Sequence, residues 1–311
     1  MNIKDLEILT LVVRLGSFAS VARELNVDPS SISRAISTLE RDLGTRLFVR
    51  NTRRLALTEA GEVFTDRLGT LIEELSQARD AAIDATGEVR GPLRVTVSNA
   101  FAMRCIAPLV PEFCEAYPAL ELDFLLTEAP VDLVEERVDV AIRLGNMRDS
   151  SVVAVPLMPI RYHVVASPAW IEAQLVSVSQ PQDLQTVRCL SFSMLGFRDR
   201  WLFAPQDGGA QIEIPVRPLL VASNALMLRE CALAGLGPTL LGDWMIDDDV
   251  KAGTLVDLLP TYNVRTANAP TTAWAVYPNR KHMPSKVRAF IDFLRLKLTN
   301  ESNALGRHDR R

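Results

Sequence analysis

Ser30, Ser31, Ser33, Arg34 and Ser37 crowd into one short stretch, interleaved with Ile32, Ala35, Ile36, Leu39 and Leu43 at helical spacing. An apolar stripe of that period turns inward and leaves the hydroxyls and the lone guanidinium on the opposite face. The chemistry open to that face is hydrogen bonding at base edges, because a helix faced with small polar groups enters a groove about 12 Å wide without a bulky barrier. Asp28 is placed to cap the helix and Pro29 stands at its first position, where a missing N–H costs nothing. Gly44 marks the stop, so the spacing predicts a helix from Pro29 to about Leu43. Beyond it, residues 46–50, 51–54 and 55–58 read as strand, turn and strand. Arg50, Arg53 and Arg54 stand on or beside that turn, where they suit contact with a phosphate backbone or minor groove.

Those groups need elements to hold them. Ser17, within Gly16-Ser17-Phe18, is placed to cap a preceding helix that carries Val21, Ala22 and Leu25 on one face, and Asn26-Val27 breaks it. Helix, sharp turn, capped helix and basic hairpin in that order predict a winged helix-turn-helix head over residues 1–58. Charge is distributed to match: residues 1–61 hold nine Lys and Arg against seven Asp and Glu, whereas the whole chain carries a net charge of −4. A mildly basic head on an acidic body favours focal contact with duplex DNA over general coating of a polyanion.

Other chemistries find little footing. The histidines are His163, His282 and His308, and none stands at metal-ligand spacing or beside a credible nucleophile. Gly235-Leu236-Gly237 lacks the third glycine of a dinucleotide fingerprint, and there is no phosphate-binding loop. No enzyme, cofactor or metal is expected. Cys105, Cys114, Cys189 and Cys231 show no close pairing in sequence, which fits buried thiols, with Cys189 and Cys231 the pair to watch for redox chemistry. Asp247-Asp248-Asp249 reads as a solvated helix end and Glu135-Glu136 as an exposed helix face. No apolar run reaches the roughly 18 residues of a membrane span, and Met1-Asn2-Ile3-Lys4-Asp5 is no signal peptide, so a cytoplasmic location is expected. With 311 residues, 48% hydrophobic and 23% charged, the chain suffices for two or three domains with substantial cores.

Thr58 is placed to cap a long helix over 59–88, in which Phe64, Leu68, Leu71, Leu75, Ala78 and Ala82 recur at alternating steps of four and three. That seam predicts pairing with a second copy, which would present two reading helices to successive half-sites. Gly87-Glu88-Val89-Arg90-Gly91-Pro92 ends the helix and supplies a hinge. From Leu93 strands alternate with helices: strands at 93–98, 121–126, 139–143, 152–156, 161–166, 188–192, 216–222 and 239–241, and helices at 106–117, 131–137, 225–234, 242–249 and 285–298. Alternation of that kind predicts a mostly parallel sheet flanked by helices. A crossing near Val165-Ala166 and a return near Thr271–Tyr277 would make two lobes within residues 89–298, lobe I over about 92–165 and 271–298 and lobe II over about 166–270. Residues 299–311 read as a polar, mobile tail.

A ligand of such a clamp should lie at strand ends and helix N-termini between the lobes. Ser98 and Asn99 end the first strand, Thr127 the second, Leu144 and Gly145 follow the third, and Ser223-Asn224 precede a helix of lobe II. Phe101, Phe192, Phe197, Trp201 and Phe203 are candidates for an apolar wall, although aromatics near strand ends often belong to the core.

Gly16-Ser17-Phe18, Val21-Ala22, Leu25, Ser30, Ile32-Ser33-Arg34, Ile36, Leu39-Glu40, Leu43-Gly44, Leu47-Phe48-Val49-Arg50, Arg53-Arg54, Leu57-Thr58 and Ala60-Gly61 resemble the N-terminal signature of the LysR-type transcriptional regulators. The resemblance extends through nearly the whole chain. Where many members carry a DNA-reading glutamine this chain has Pro29, so Ser33 and Arg34 inherit the expectation of base contact. The two lobes resemble the family's effector-binding domain, itself similar to periplasmic solute-binding proteins, and the strand-end positions above match where the family places its effector. The resemblance implies α/β architecture behind a helical head, binding to double-stranded promoter DNA, a small-molecule effector such as an organic acid or aromatic carboxylate, and a homodimer or dimer of dimers, with RNA polymerase a further partner. A second function remains open on residues alone: a cytosolic solute-binding module whose N-terminal helices serve only oligomerisation.

Overall fold

The computed structural model describes residues 2–49, 55–84, 87–145, 152–173, 177–194, 196–265, 271–278 and 283–305. The chain divides into two compact units, Met1–Gly87 and Glu88–Arg311.

The first unit is helical: α1 (Ile3–Leu15), α2 (Phe18–Glu24), α3 (Pro29–Leu43) and α4 (Glu59–Asp84). Each start is fixed by a side chain that accepts a free backbone N–H. Asn2 takes that of Lys4, Ser17 that of Ser20, and Asp28 that of Ser30 at 2.8 Å. Gly16 and Gly44 end α1 and α3 at φ 63° and 68°, the left-handed turn that glycine adopts freely. Leu9, Val12, Val21, Ile32, Ile36, Leu39 and Leu47 form the core, which is why α3 shows its other side to solvent. Among the described residues the expected strand pair after α3 shows as an antiparallel bridge between Phe48 and Leu57, with the Val49 N–H donating to the Ala56 carbonyl at 2.9 Å. Its turn, with Arg50, Arg53 and Arg54, lies outside the described residues.

The second unit opens with β1 (Gly91–Val97), which leads into α5 (Asn99–Phe101), a π turn at Ala102–Ile106, a 3-10 turn at Ala107–Leu109 and α6 (Val110–Ala116). Next come β2 (Leu120–Leu126), β3 (Val140–Gly145) and β4 (Val152–Ile160). Only Arg161 separates β4 from β5 (Tyr162–Ala166), which belongs to the other sheet, so the crossing falls at Arg161 rather than near Val165-Ala166. Then follow α7 (Pro168–Ala173), β6 (Arg188–Phe192), β7 (Arg200–Pro205), β8 (Ile212–Pro215), β9 (Arg217–Ala222), α8 (Ala225–Leu233), β10 (Thr239–Gly242), α9 (Asp243–Ala252), β11 (Val256–Asp257) and β12 (Tyr262–Arg265). β13 (Thr271–Pro278) returns to the first sheet and α10 (Ser285–Leu305) covers it.

Both sheets are mixed rather than mostly parallel. In the first, of order β2-β1-β3-β13-β4, β1 pairs parallel with β2 and β3, whereas the returning β13 lies antiparallel between β3 and β4. In the second, of order β8-β7-β12-β5-β10-β6-β9 with β11 beside β5, only β10 with β6 and β6 with β9 are parallel. The helix expected at 131–137 is a single turn: Asp132 accepts the N–H groups of Val134 and Glu135, and Arg137 at φ 52° ends it. At the C-terminal end α10 passes the buried Leu298 and runs to Leu305, so a helix occupies part of the stretch expected to be a tail.

Candidate functional site

On α3, Ser30, Ser33, Arg34 and Ser37 are exposed and Ser31 is half-buried, while Ile32, Ile36 and Leu39 are buried. Arg34 lies back along the helix, its Nη2 donating to the hydroxyls of Ser30 at 3.3 Å and Ser31 at 3.4 Å, so three of the predicted reading residues form one hydrogen-bonded group. The segment after α3 is held by Glu40, whose Oε1 accepts the N–H groups of Leu47 at 2.8 Å and Phe48 at 3.1 Å. Thr58 secures the other arm, donating to the Arg46 carbonyl at 2.6 Å while capping Gly61 at the start of α4. A Cβ on Gly61 would stand 2.2 Å from the Leu47 carbonyl oxygen, so α4 meets this segment at a bare backbone. Along α4 the heptad seam divides. Leu68 is buried and Phe64 half-buried in the unit's own core, whereas Leu71 and Leu75 are 59% and 47% exposed. These leucines continue an apolar groove of about 770 Å³ whose other wall includes Ile3, Leu6 and Leu43.

In the second unit a cavity of about 350 Å³ opens between the two sheets, within the usual range for small-molecule sites. Of the strand-end residues named from sequence, Ser98, Thr127, Leu144, Gly145 and Phe192 line it together. The Ser98 hydroxyl makes no capping bond, whereas Thr127 Oγ1 accepts the Ala129 N–H at 3.1 Å. Four others lie elsewhere. The N–H of Asn99 donates to Glu128, Phe101 is fully buried in the core of the first sheet, and Asn224 spends its side chain capping α8 while Ser223 precedes it outside the lining. Phe197 joins Phe192 on the wall, but Trp201 and Phe203 are buried in the core of the second sheet.

Sequence reasoning missed much of the remaining wall, including Glu128 after β2, Tyr162 at the start of β5, Met194, and Trp244 and Met245 from α9. It also missed Arg143, the only Lys or Arg among the described lining residues, which donates to the Val131 carbonyl at 2.9 Å. Arg143 was in reach of sequence, because it immediately precedes Leu144-Gly145 at the end of β3. Burial, reinforced by Asp243, pushes the Tyr162 hydroxyl far above its ordinary value and keeps it neutral.

The acidic run 247–249 departs from the expected solvated helix end. Asp248 is exposed, but Asp249 is buried and bidentate to Arg229 at 2.5 and 2.6 Å. Cys189 is fully buried and burial pushes its thiol up to about 12, which leaves it unreactive; Cys231 is half-buried on α8. No group of three or more metal-ligating side chains occurs among the described residues, and no helix among them is long and apolar enough to cross a membrane.

A helix-turn-helix head followed by a mixed α/β unit with a cavity between its sheets defines a transcriptional regulator with an effector-binding domain. Residues 3–62 match the family model for the bacterial regulatory helix-turn-helix protein, lysR family, and residues 86–299 match the LysR substrate binding domain. The chain belongs to the LysR family. It is 34% identical to an HTH-type transcriptional regulator of Xanthomonas campestris pv. campestris over 97% of this chain and 87% of the relative. The solved structure of CrgA, a LysR-type transcriptional regulator from Neisseria meningitidis, superposes with a TM-score of 0.61 at 30% identity, covering 96% of this chain and 99% of that one. Full-length AphB, a Vibrio cholerae virulence activator, matches with a TM-score of 0.61 at 29% identity over 94% and 98% of the two chains.

Proposed function

We propose that this regulator responds to an apolar, aromatic carboxylate held in the cavity between its two sheets, and that it acts on promoter DNA in the cytoplasm as a dimer or a dimer of dimers. The cavity itself carries the reading: Tyr162, Phe192, Phe197 and Trp244 supply ring walls, and Arg143, which shares the lining with a Glu128 carboxylate that accepts the Asn99 N–H, supplies the positive charge that a ligand carboxylate needs. The family relationship favours a regulator over a solute-binding module. In this reading residues 1–58 bind DNA through Ser30, Ser31, Ser33, Arg34, Ser37 and the arginines at 50, 53 and 54, residues 59–88 pair the subunits, and residues 89–298 bind the effector. The ligand works by favouring one arrangement of the lobes over another, and RNA polymerase is the downstream contact.

Thermal-shift measurements with benzoate and 2-naphthoate, each beside its uncharged amide, test the ligand class. The acids should raise the melting temperature and the amides should not, because only a ligand that binds the folded form stabilises it. Arg143→Gln should abolish the difference. In a gel shift with the gene's own upstream DNA, Arg34→Ala should lose about 10- to 100-fold in affinity, the worth of one good base contact, while keeping its response to the acids. Amides as effective as acids would overturn the carboxylate reading, and unchanged DNA affinity would overturn the role of Arg34.

A further inference from the structure

We propose that Gly242 and Trp244 act as a pair that sets the size of the cavity and, through it, the largest ligand it accepts. Gly242 has φ −75° and ψ 149°, a conformation open to any residue, so the backbone does not require glycine there. Space does. A Cβ at this position would stand 2.6 Å from Trp244 Nε1, 3.0 Å from its Cδ1 and 3.2 Å from Ile160 Cγ2. The indole therefore lies flush against bare main chain, and its Nε1 is buried there without a hydrogen-bond partner. An unpaired buried donor is unfavourable, so packing rather than hydrogen bonding keeps the ring in this position.

The surroundings decide what gives way if a side chain appears. The main chain is tied at three successive residues. Gly242 pairs with Tyr162, the Asp243 N–H donates to the Arg161 carbonyl at 2.8 Å, and the Trp244 N–H donates to the Asp243 carboxylate at 2.9 Å. Phe101, itself fully buried, meets the indole edge-on with ring centres 5.1 Å apart and blocks retreat into the core. The remaining direction is the cavity, which Gly242 and Trp244 both line. A methyl group at 242 would thus swing the indole into the ligand's space, and large aromatic ligands would lose room before small ones. The ligand arm of this inference rests on the proposed effector class; the packing arm does not.

The test uses the full-length chain labelled with 5-fluorotryptophan, with the Trp244 resonance assigned by its disappearance in Trp244→Phe. In Gly242→Ala without ligand, the Trp244 fluorine resonance should move while those of Trp170, Trp201 and Trp274 hold their positions; an unmoved Trp244 resonance overturns the proposal. In calorimetric titrations, the affinity ratio of 2-naphthoate to benzoate should fall about tenfold or more in Gly242→Ala and recover in Gly242→Ala/Trp244→Phe, a loss and rescue readable as a difference in binding free energy. A ratio unchanged in the single variant, or unrecovered in the double one, also overturns it. Failure of both acids to bind the unsubstituted protein overturns the carboxylate reading instead, and the fluorine spectra then decide the packing.

Discussion

His163, on β5, is pulled in opposite directions. Burial disfavours its charged form most strongly, but the Asp257 carboxylate 2.8 Å from Nδ1, with help from Asp243, outweighs both burial and the opposing Arg161, and the imidazole titrates above its ordinary 6.5. A group that holds its proton more tightly folded than unfolded stabilises the fold while protonated. That contribution is complete below the unfolded value and is lost as pH rises through the higher folded one. The melting temperature should therefore decline as pH climbs above 6.5. His163→Gln, which can still donate toward Asp257 but cannot titrate, should flatten the decline; parallel curves for the two proteins would show that Asp257 does not hold an imidazolium. The pair connects β5, which continues directly from the crossing at Arg161, to the short β11, so this charge acts beside the passage between the sheets.

At the scale of elements, the helical head depends on one carboxylate and one missing side chain. Glu40 brings the end of α3 to Leu47 and Phe48, whose N–H groups have it as acceptor, and Gly61 lets α4 close against the same segment. Glu40→Ala should lower stability by about 2 kcal/mol in urea unfolding, the scale of lost hydrogen bonds to a charged group. It should also weaken promoter binding, because the arginines at 50, 53 and 54 proposed to contact DNA follow that segment directly in the chain. Unchanged unfolding would mean that Thr58 and the bridge between Phe48 and Leu57 hold the segment without Glu40. These elements were legible in sequence where their signals are local: Asp28 with Pro29 gives the start of α3 and Gly44 its end within the same few residues. The strand-end positions Ser98, Thr127, Leu144, Gly145 and Phe192 were legible for the same reason, since the end of an alternating strand is visible locally. Where partners are distant the reading failed. Asp249 looks solvated until Arg229, 20 residues earlier, is brought against it. β12 gains its register only from β7 and β5, and Trp244 reaches the cavity only because β10 pairs with β5 across the crossing. Local competition misled at 131–137, where the apolar spacing suits a helix but Asp132 and the left-handed Arg137 allow one turn.

For the whole molecule, the function proposed above calls for two heads on one stretch of DNA, and α4 is the element that reading assigns to bring the second. Its 26 residues span about 39 Å at 1.5 Å per residue, long enough to leave apolar surface beyond what its own unit can cover. Phe64 and Leu68 are used internally, whereas Leu71 and Leu75 remain exposed at 59% and 47% beside an apolar groove. Large apolar side chains left exposed on a helix favour burial against another surface, and the continuing heptad period supports the proposed pairing with a second α4. Leu71→Glu/Leu75→Glu should therefore shift sedimentation equilibrium toward monomer with little loss of fold stability, since neither leucine belongs to the core. The DNA consequence separates a dimer requirement from a merely weakened head. A monomer neutralises half as many phosphates per bound particle, so the slope of log affinity against log salt should fall to about half, whereas Arg34→Ala should move that slope far less. A dimer that survives both glutamates with its salt slope intact would place the subunit contact elsewhere than on α4.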